Sequence, residues 1–284
     1  MSKAPIPKLA GVCGWPIHRS LSPLIHNYWL TKMGLAGAYV RFAVRPDDAQ
    51  RAFGTLTKTS IVGVNVTIPL KEEAYKAADI VTPDAEKLGV SNCLYKKNGE
   101  LFAHNTDLEG FAAPLLEHYG AARIRNEPAL VIGTGGAAKA VIGALLSLNC
   151  PEIRVCGRTD EKAENLVASI NLPSLYAVNW RHRKLSLPSA GLVVNASSAG
   201  MSGYSDLDLN LKTAAPNTFV YDLVYTPLKT GLLKQAKRYR LPHIGGLEML
   251  VEQARPSFRL FFGQTPPADL DPKPLLIKAL SRKK

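Results

Sequence analysis

Apolar and polar positions along the chain fall into two styles of α/β sequence. In the first hundred residues, short strand-like runs trade places with helical stretches. Residues 9–13 (LAGVC) form a short apolar run ending at Gly14 and Pro16. Residues 22–33 read as a helix, with Ser22 as the N-cap, Pro23 at the first helical position and Gly34 past the end. Residues 38–44 alternate at period two, and another helix begins near Asp47. In GVNVTIPLK (63–71), Val64, Val66 and Ile68 share one strand face and are expected to anchor in the core. Asn65 and Thr67 take the other face, and Pro69 stops the ladder just before Lys71. VSNCLY (90–95) and LFAH (101–104) are expected to pair around a Lys97-Asn98-Gly99 turn. Beyond them Leu108, Phe111, Ala112, Leu115 and Leu116 recur at helical spacing, in a helix expected to bridge two domains.

From Ala129 the pattern changes. ALVIG is a continuous apolar run of the kind buried on both faces of a parallel sheet. A glycine-rich turn, a helix over 137–148, strand EIRVC, a helix over 161–169, and strands GLVVNAS and TFVYDLV follow. This β-α-β-α order predicts a parallel sheet with helices on both faces. GGLEMLVEQARPSFRLFFG reads as one helical region, with Met249, Leu250, Gln253, Ala254 and Ser257 on overlapping faces. The expected architecture is α/β in two domains. One, with a mainly parallel sheet, spans 1–106 and is completed by C-terminal helices in 247–284; the other is Rossmann-type and spans 107–246.

Composition narrows the class. The chain has 284 residues, 46% hydrophobic and 20% charged, as a soluble globular protein does. No apolar run approaches the roughly 20 residues that span a bilayer, and residues 1–11 lack the apolar core of a signal peptide. A cytoplasmic protein without a membrane partner is expected. The four cysteines lie far apart with no C-x-x-C pair, so buried thiols in a reducing compartment are expected. The six histidines are equally scattered, which argues against a metal site. The net charge of +12 suits nucleic acid or small anions. Its basic residues are spread out, apart from the tail SRKK, and no aromatics interleave with them, which argues against nucleic acid.

Two groups of residues carry candidate chemistry. VIGTGGAAKAV contains Gly133-x-Gly135-x-x-Ala138 directly after a strand and opening a helix, the context a dinucleotide fingerprint requires. Gly133 allows the tight turn, Gly135 lets backbone amides approach a pyrophosphate, and Ala138 allows close helix–sheet packing. At the end of the next strand stand Gly157, Arg158 and Thr159, with Lys162 one turn into the helix. An NAD site usually has an acidic residue there; a guanidinium with a hydroxyl and a lysine suits the 2′-phosphate of NADP. In the competing reading, Arg158 is merely solvated and Asp160 caps the helix. The second group is Ser20, Ser22, Asn65, Thr67, Lys71, Asn92, Asn105 and Asp107, all at strand ends or helix starts. Each has an ordinary structural reading. Together they suit a carboxylate held by serine hydroxyls, vicinal hydroxyls held by Asn and Thr, and proton transfer by Lys71 beside Asp107.

With those residues in view, the chain resembles the shikimate dehydrogenases, nearly end to end. The resemblance runs through GWPIHRSLSPLIHN, NVTIPLK, VSNCLY, NTDLEG, VIGTGGAAKA, GRTDEKA, NASSAGM, DLVYTPLKTGLL and GGLEMLVEQA. It implies reversible NADPH-dependent reduction of 3-dehydroshikimate to shikimate, a step toward the aromatic amino acids. On this resemblance Ser20 and Ser22 bind the substrate carboxylate. Thr67, Asn92, Asp107 and Gln253 hold ring hydroxyls, with Asn65 and Tyr225 close by, and Lys71 is the catalytic acid/base paired with Asp107. Gly133, Thr134, Gly135, Gly136 and Ala137 cradle the NADP pyrophosphate, while Arg158 and Thr159 hold its 2′-phosphate. Asn195, Leu223 and Gly246 line the nicotinamide side, and the C-terminal helices return to the first domain so that Gln253 reaches the substrate. Four positions depart from the family pattern: Arg19 for His, Cys93 for Thr, Thr134 for Ala and Gly157 for Asn. The alternatives are a quinate/shikimate enzyme that uses NAD, and a noncatalytic ligand sensor on the same fold. A monomer or homodimer is expected.

Overall fold

The computed structural model describes residues 6–281. Arg282–Lys284 of the basic tail, and the first residues of the segment tested for a signal peptide, lie outside them. The described chain forms two compact units, residues 6–107 with 250–281, and residues 108–249.

The first stretch alternates as expected: β1 (Lys8–Gly14), α1 (Ser22–Lys32), β2 (Gly37–Ala43), α2 (Ala49–Gly54), β3 (Ile61–Val66), α3 (Lys71–Lys76), β4 (Ile80–Val81), α4 (Pro83–Leu88), β5 (Cys93–Lys97) and β6 (Glu100–His104). The sheet order is β2-β1-β3-β5-β6-β4. β1 runs parallel to β2 and β3, whereas β5 is antiparallel to β3 and to β6. The hairpin between β5 and β6 turns at Asn98 and Gly99, both at positive φ (55° and 87°), as a tight two-residue turn demands.

The second unit follows α5 (Asp107–His118) and α6 (Ala121–Asn126) with β7 (Ala129–Ile132), α7 (Gly136–Ser147), β8 (Ile153–Cys156), α8 (Asp160–Ile170), β9 (Leu175–Ala177), β10 (Leu192–Asn195), β11 (Phe219–Asp222), α9 (Gly231–Arg238) and β12 (His243–Gly245). Its sheet is parallel throughout, in the order β12-β11-β10-β7-β8-β9. That is the doubly wound order, and it reverses direction between β7 and β10, where such folds open a crevice for a dinucleotide. Residues Ala129–Ile132 are all buried, which is why they read as an unbroken apolar run.

The chain ends with α10 (Leu247–Glu252), α11 (Ala254–Phe262) and α12 (Lys273–Ser281). The single C-terminal helical region expected from the sequence is therefore interrupted at Gln253. α11 packs in the first unit, where Phe258, Phe261 and Phe262 surround His26 and Trp29 of α1. Trp29 Nε1 donates to the Leu270 carbonyl at 2.9 Å, fastening the segment ahead of α12 to the same helix.

Candidate active site

The first unit collects its polar residues where β3 ends. Val64 and Val66 are buried as expected. Ile68 is not: it is 65% exposed, a departure from the expected core face. The strand has stopped at Val66, so alternation no longer governs Ile68. Thr67 N–H instead donates to the Cys13 carbonyl at 2.9 Å, and Leu70 N–H closes a turn onto the Thr67 carbonyl at 3.0 Å. The turn delivers Lys71 as the first residue of α3.

Lys71 Nζ donates to Asp107 Oδ2 in an ion pair whose side chains are only 15% and 8% exposed. The other Asp107 oxygen accepts from Asn92 Nδ2 at 2.7 Å. Asn105 Oδ1 takes the Asp107 N–H at 3.0 Å, leaving the Asp107 carboxylate to side chains. Asn92 is held in turn by Thr106, whose N–H reaches its Oδ1 at 2.7 Å and whose hydroxyl accepts from its Nδ2 at 3.0 Å.

Asn65 is buried and enters the same network. Its Oδ1 accepts from the Tyr39 hydroxyl at 2.7 Å, and its Nδ2 donates to Ser257 Oγ at 2.7 Å and to the Asn92 carbonyl at 3.2 Å. Ser257 also meets Thr106 Oγ1 at 3.2 Å and donates to the Gln253 carbonyl at 3.2 Å. Gln253 is buried, with Nε2 donating to the Leu250 carbonyl at 2.7 Å. Buried amides are therefore satisfied one by one, as low-dielectric surroundings require.

Ser22 does not cap α1, contrary to the expectation. The N-cap position is Leu21, without a side-chain cap, and Ser22 is the first helical residue. Its hydroxyl accepts from Ser20 Oγ at 3.3 Å, and its N–H points to the same oxygen at 3.4 Å. Two hydroxyls thus stand together. Thr106, Tyr39 and Ser257 belong to the site without having been singled out for it. The one available sequence signal was the four-residue helical spacing of Gln253 and Ser257. Tyr225 lies beyond β11 in the second unit, half-buried.

In the second unit the turn after β7 has the backbone expected of a phosphate loop. Gly133 adopts φ 127°, and a Cβ there would come within 2.7 Å of the Ala196 carbonyl oxygen. Gly135, the N-cap of α7, faces open space. The first-turn amides of a helix lack intrahelical acceptors, so this opening suits a pyrophosphate. Ala138 is fully buried against the sheet. The neighbouring loop touches the turn: a Cβ on Gly157 would lie 3.0 Å from the Thr134 methyl.

Arg158, Thr159 and Lys162 are exposed beside that loop. Asp160 does not serve as a simple cap, since its carboxylate accepts from Trp180 N–H at 2.7 Å and Asn179 Nδ2 at 2.5 Å. Thr159 holds the N-cap position of α8 without a side-chain bond. Across the β7–β10 reversal, Asn195 donates to Asp222 Oδ1 at 2.9 Å and to the Ala199 carbonyl at 3.0 Å, and accepts from Ser197 Oγ at 2.7 Å. Burial raises the Asp222 carboxyl pKa, against hydrogen bonds from Thr230, Val224 N–H and Asn195 that favour the charged form. Gly246 is packed so closely that a Cβ would sit 2.0 Å from the Leu223 carbonyl oxygen. Open amides at one turn and exposed cations at the next fit a phosphorylated dinucleotide.

Among the described residues no group of three or more His, Cys, Asp or Glu is placed to hold a metal ion. All four cysteines are free and buried, as expected.

A doubly wound parallel unit with an open glycine turn, joined in one chain to an α/β unit holding a part-buried Lys–Asp pair, defines the class of nicotinamide-dependent dehydrogenases. Residues 12–94 match the model of the shikimate dehydrogenase substrate-binding domain, 116–205 that of shikimate/quinate 5-dehydrogenase, and 246–270 that of the shikimate 5′-dehydrogenase C-terminal domain. A shikimate dehydrogenase (NADP(+)) from Paracoccus denitrificans is 41% identical over 271 residues, covering 94% of this chain and 96% of that one. One from Paramagnetospirillum magneticum is 40% identical over 260 residues, with 91% and 94% covered. The shikimate 5-dehydrogenase of Thermus thermophilus, solved with NADP(H) and shikimate, superposes with a TM-score of 0.82 at 34% identity, covering 97% and 99% of the chains. The chain belongs to the shikimate dehydrogenase family.

Proposed function

We propose that the chain catalyses the reversible NADPH-dependent reduction of 3-dehydroshikimate to shikimate. The observation that carries this reading is the part-buried Lys71–Asp107 pair, held by Asn92, in a member of this family. Residues 1–106 with 247–284 form the substrate domain, which Asp107 joins through its pairing with Lys71, and the residues from there to 246 form the NADP domain. NADPH, when bound, supplies the hydride to the ring carbonyl carbon. Lys71 Nζ gives its proton to the carbonyl oxygen as the alkoxide develops, and in reverse takes the hydroxyl proton. Asp107 orients the ammonium through one oxygen while Asn92 fixes the other, so the donor is preorganised before substrate arrives.

Ser20 and Ser22 receive the substrate carboxylate. Thr67, Asn92, Asp107 and Gln253 hold ring hydroxyls, with Asn65 and Tyr225 nearby. Gly133–Ala137, with Thr134 among them, receive the pyrophosphate. Arg158 and Thr159, beside Gly157 and Lys162, receive the 2′-phosphate, and Asn195, Leu223 and Gly246 line the nicotinamide side. The protein works in the cytoplasm on a small molecule, as a monomer or homodimer, with neither nucleic acid nor membrane as partner.

The test is kcat/KM for four pairs, shikimate or quinate with NADP or NAD. Shikimate with NADP should give the highest value. NAD matching NADP would overturn the cofactor assignment, and quinate matching shikimate the substrate assignment.

A further inference from the structure

α1 and the loop before it are stapled to the edge of a sheet. β2 is the edge strand, and among the described residues no strand pairs with its outer side. Asn27 of α1 occupies that side: its Nδ2 donates to the Tyr39 carbonyl at 2.8 Å, and its Oδ1 accepts the Tyr39 N–H at 3.0 Å. Two residues along the strand comes a second staple. Arg41 turns both Nε and Nη2 onto the carbonyl oxygen of Ser20, at 3.1 and 2.6 Å.

The carbonyl that receives this fork belongs to the residue whose hydroxyl meets Ser22 Oγ. Ser20 N–H is meanwhile tied to the Ile17 carbonyl at 3.1 Å. The backbone of Ser20 is thus gripped on both sides, which fixes where its hydroxyl stands. The guanidinium also brings a permanent charge. Arg41 is exposed and forms no ion pair with any described residue, and its fork ends on the backbone of the residue that carries one of the paired hydroxyls.

We infer that Arg41 is the positioning residue of the carboxylate subsite, holding Ser20 by its carbonyl and bringing a positive charge to the residue that carries one of the paired hydroxyls. This rests on the reading that those serines receive the substrate carboxylate. Arg41 acts through Ser20 and takes no part in proton or hydride transfer. Its influence is therefore confined to binding of the anionic end of the substrate.

The experiment compares shikimate with its methyl ester, which lacks the charge, in Arg41→Gln, Arg41→Lys and Ser20→Ala, with NADP+ as the second substrate and thermal stability recorded for each. Loss of the Ser20 anchor and of an exposed, solvent-screened charge predicts that Arg41→Gln raises KM for shikimate about threefold. KM for NADP+ should hold, and the preference for acid over ester should narrow. Arg41→Lys, which keeps the charge and loses the fork, should fall between the wild type and Arg41→Gln. Equal losses for acid and ester, or a parallel rise in KM for NADP+, would reduce Arg41 to general support of the fold and overturn the inference. If Ser20→Ala narrows the acid–ester preference and Arg41→Gln does not, the inference fails while the serine assignment stands. If Ser20→Ala leaves that preference intact, both fall.

Discussion

Asn65 and Asn92 show how differently single polar residues can be used in one site. Both amides bond protein partners and so also position neighbours: Asn92 turns Asp107 toward Lys71, and Asn65 joins β3 to Tyr39 and to Ser257 of α11. The sequence pattern singles out both asparagines, because each sits at the end of a run with clear alternation or a turn. It does not single out Tyr39 or Ser257. Their importance comes from hydrogen bonds across 26 and 192 residues, and no local spacing encodes such a partner. Burial holds the Tyr39 hydroxyl pKa well above its ordinary value, so Tyr39 is a committed donor to Asn65. Tyr39→Phe leaves the Asn65 oxygen short of that donor in a dry setting. It should cost about 1–3 kcal/mol in urea denaturation; unchanged stability would show that Asn65 is held by its other bonds alone.

At the scale of elements, α1 carries the clearest consequence of burial. His26 is fully buried, stacked on Tyr39 at 3.9 Å between ring centroids, and neither of its ring nitrogens has a hydrogen-bond partner among the described residues. Burial lowers its pKa from 6.5 to about 3, so the folded protein holds it neutral. As pH falls below 6.5 the unfolded chain takes up this proton and the folded chain does not, down to about 3. Stability must then fall by up to about 1.4 kcal/mol per pH unit over that window. His26→Leu should flatten the pH dependence of denaturation between about pH 6 and 4 relative to wild type; parallel curves would mean His26 is protonated in the folded state. α1 was legible from Pro23 at its start and Gly34 past its end, and the longer strands of the second unit because continuous apolar runs reflect burial on both faces. The short β4, β9 and β12 were not singled out, since two or three residues carry no readable period. The break at Gln253 was equally hidden, because α10 and α11 keep apolar residues on adjoining faces.

For the molecule as a whole, the net charge of +12 includes two exposed cations of the second unit that are proposed to receive the cofactor's 2′-phosphate. Arg158 and Lys162 are exposed and form no ion pair among the described residues. A 2′-phosphate is the ligand that would need them. Arg158→Ala should raise KM for NADP while leaving KM for NAD nearly unchanged, read from initial rates with each cofactor. Equal effects on both would show that Arg158 does not recognise the phosphate. The α/β class and the parallel sheet were readable from element order alone. The antiparallel insertion of β5 in the first sheet follows from its tight hairpin to β6, a local turn whose global effect only the assembled sheet reveals. Everything proposed for the chemistry depends on Lys71 moving the proton. Lys71→Ala should lose at least about 10²-fold in kcat, as expected for removal of a general acid–base group, while its affinity for shikimate changes far less. A kcat near that of the wild type would contradict the assignment outright.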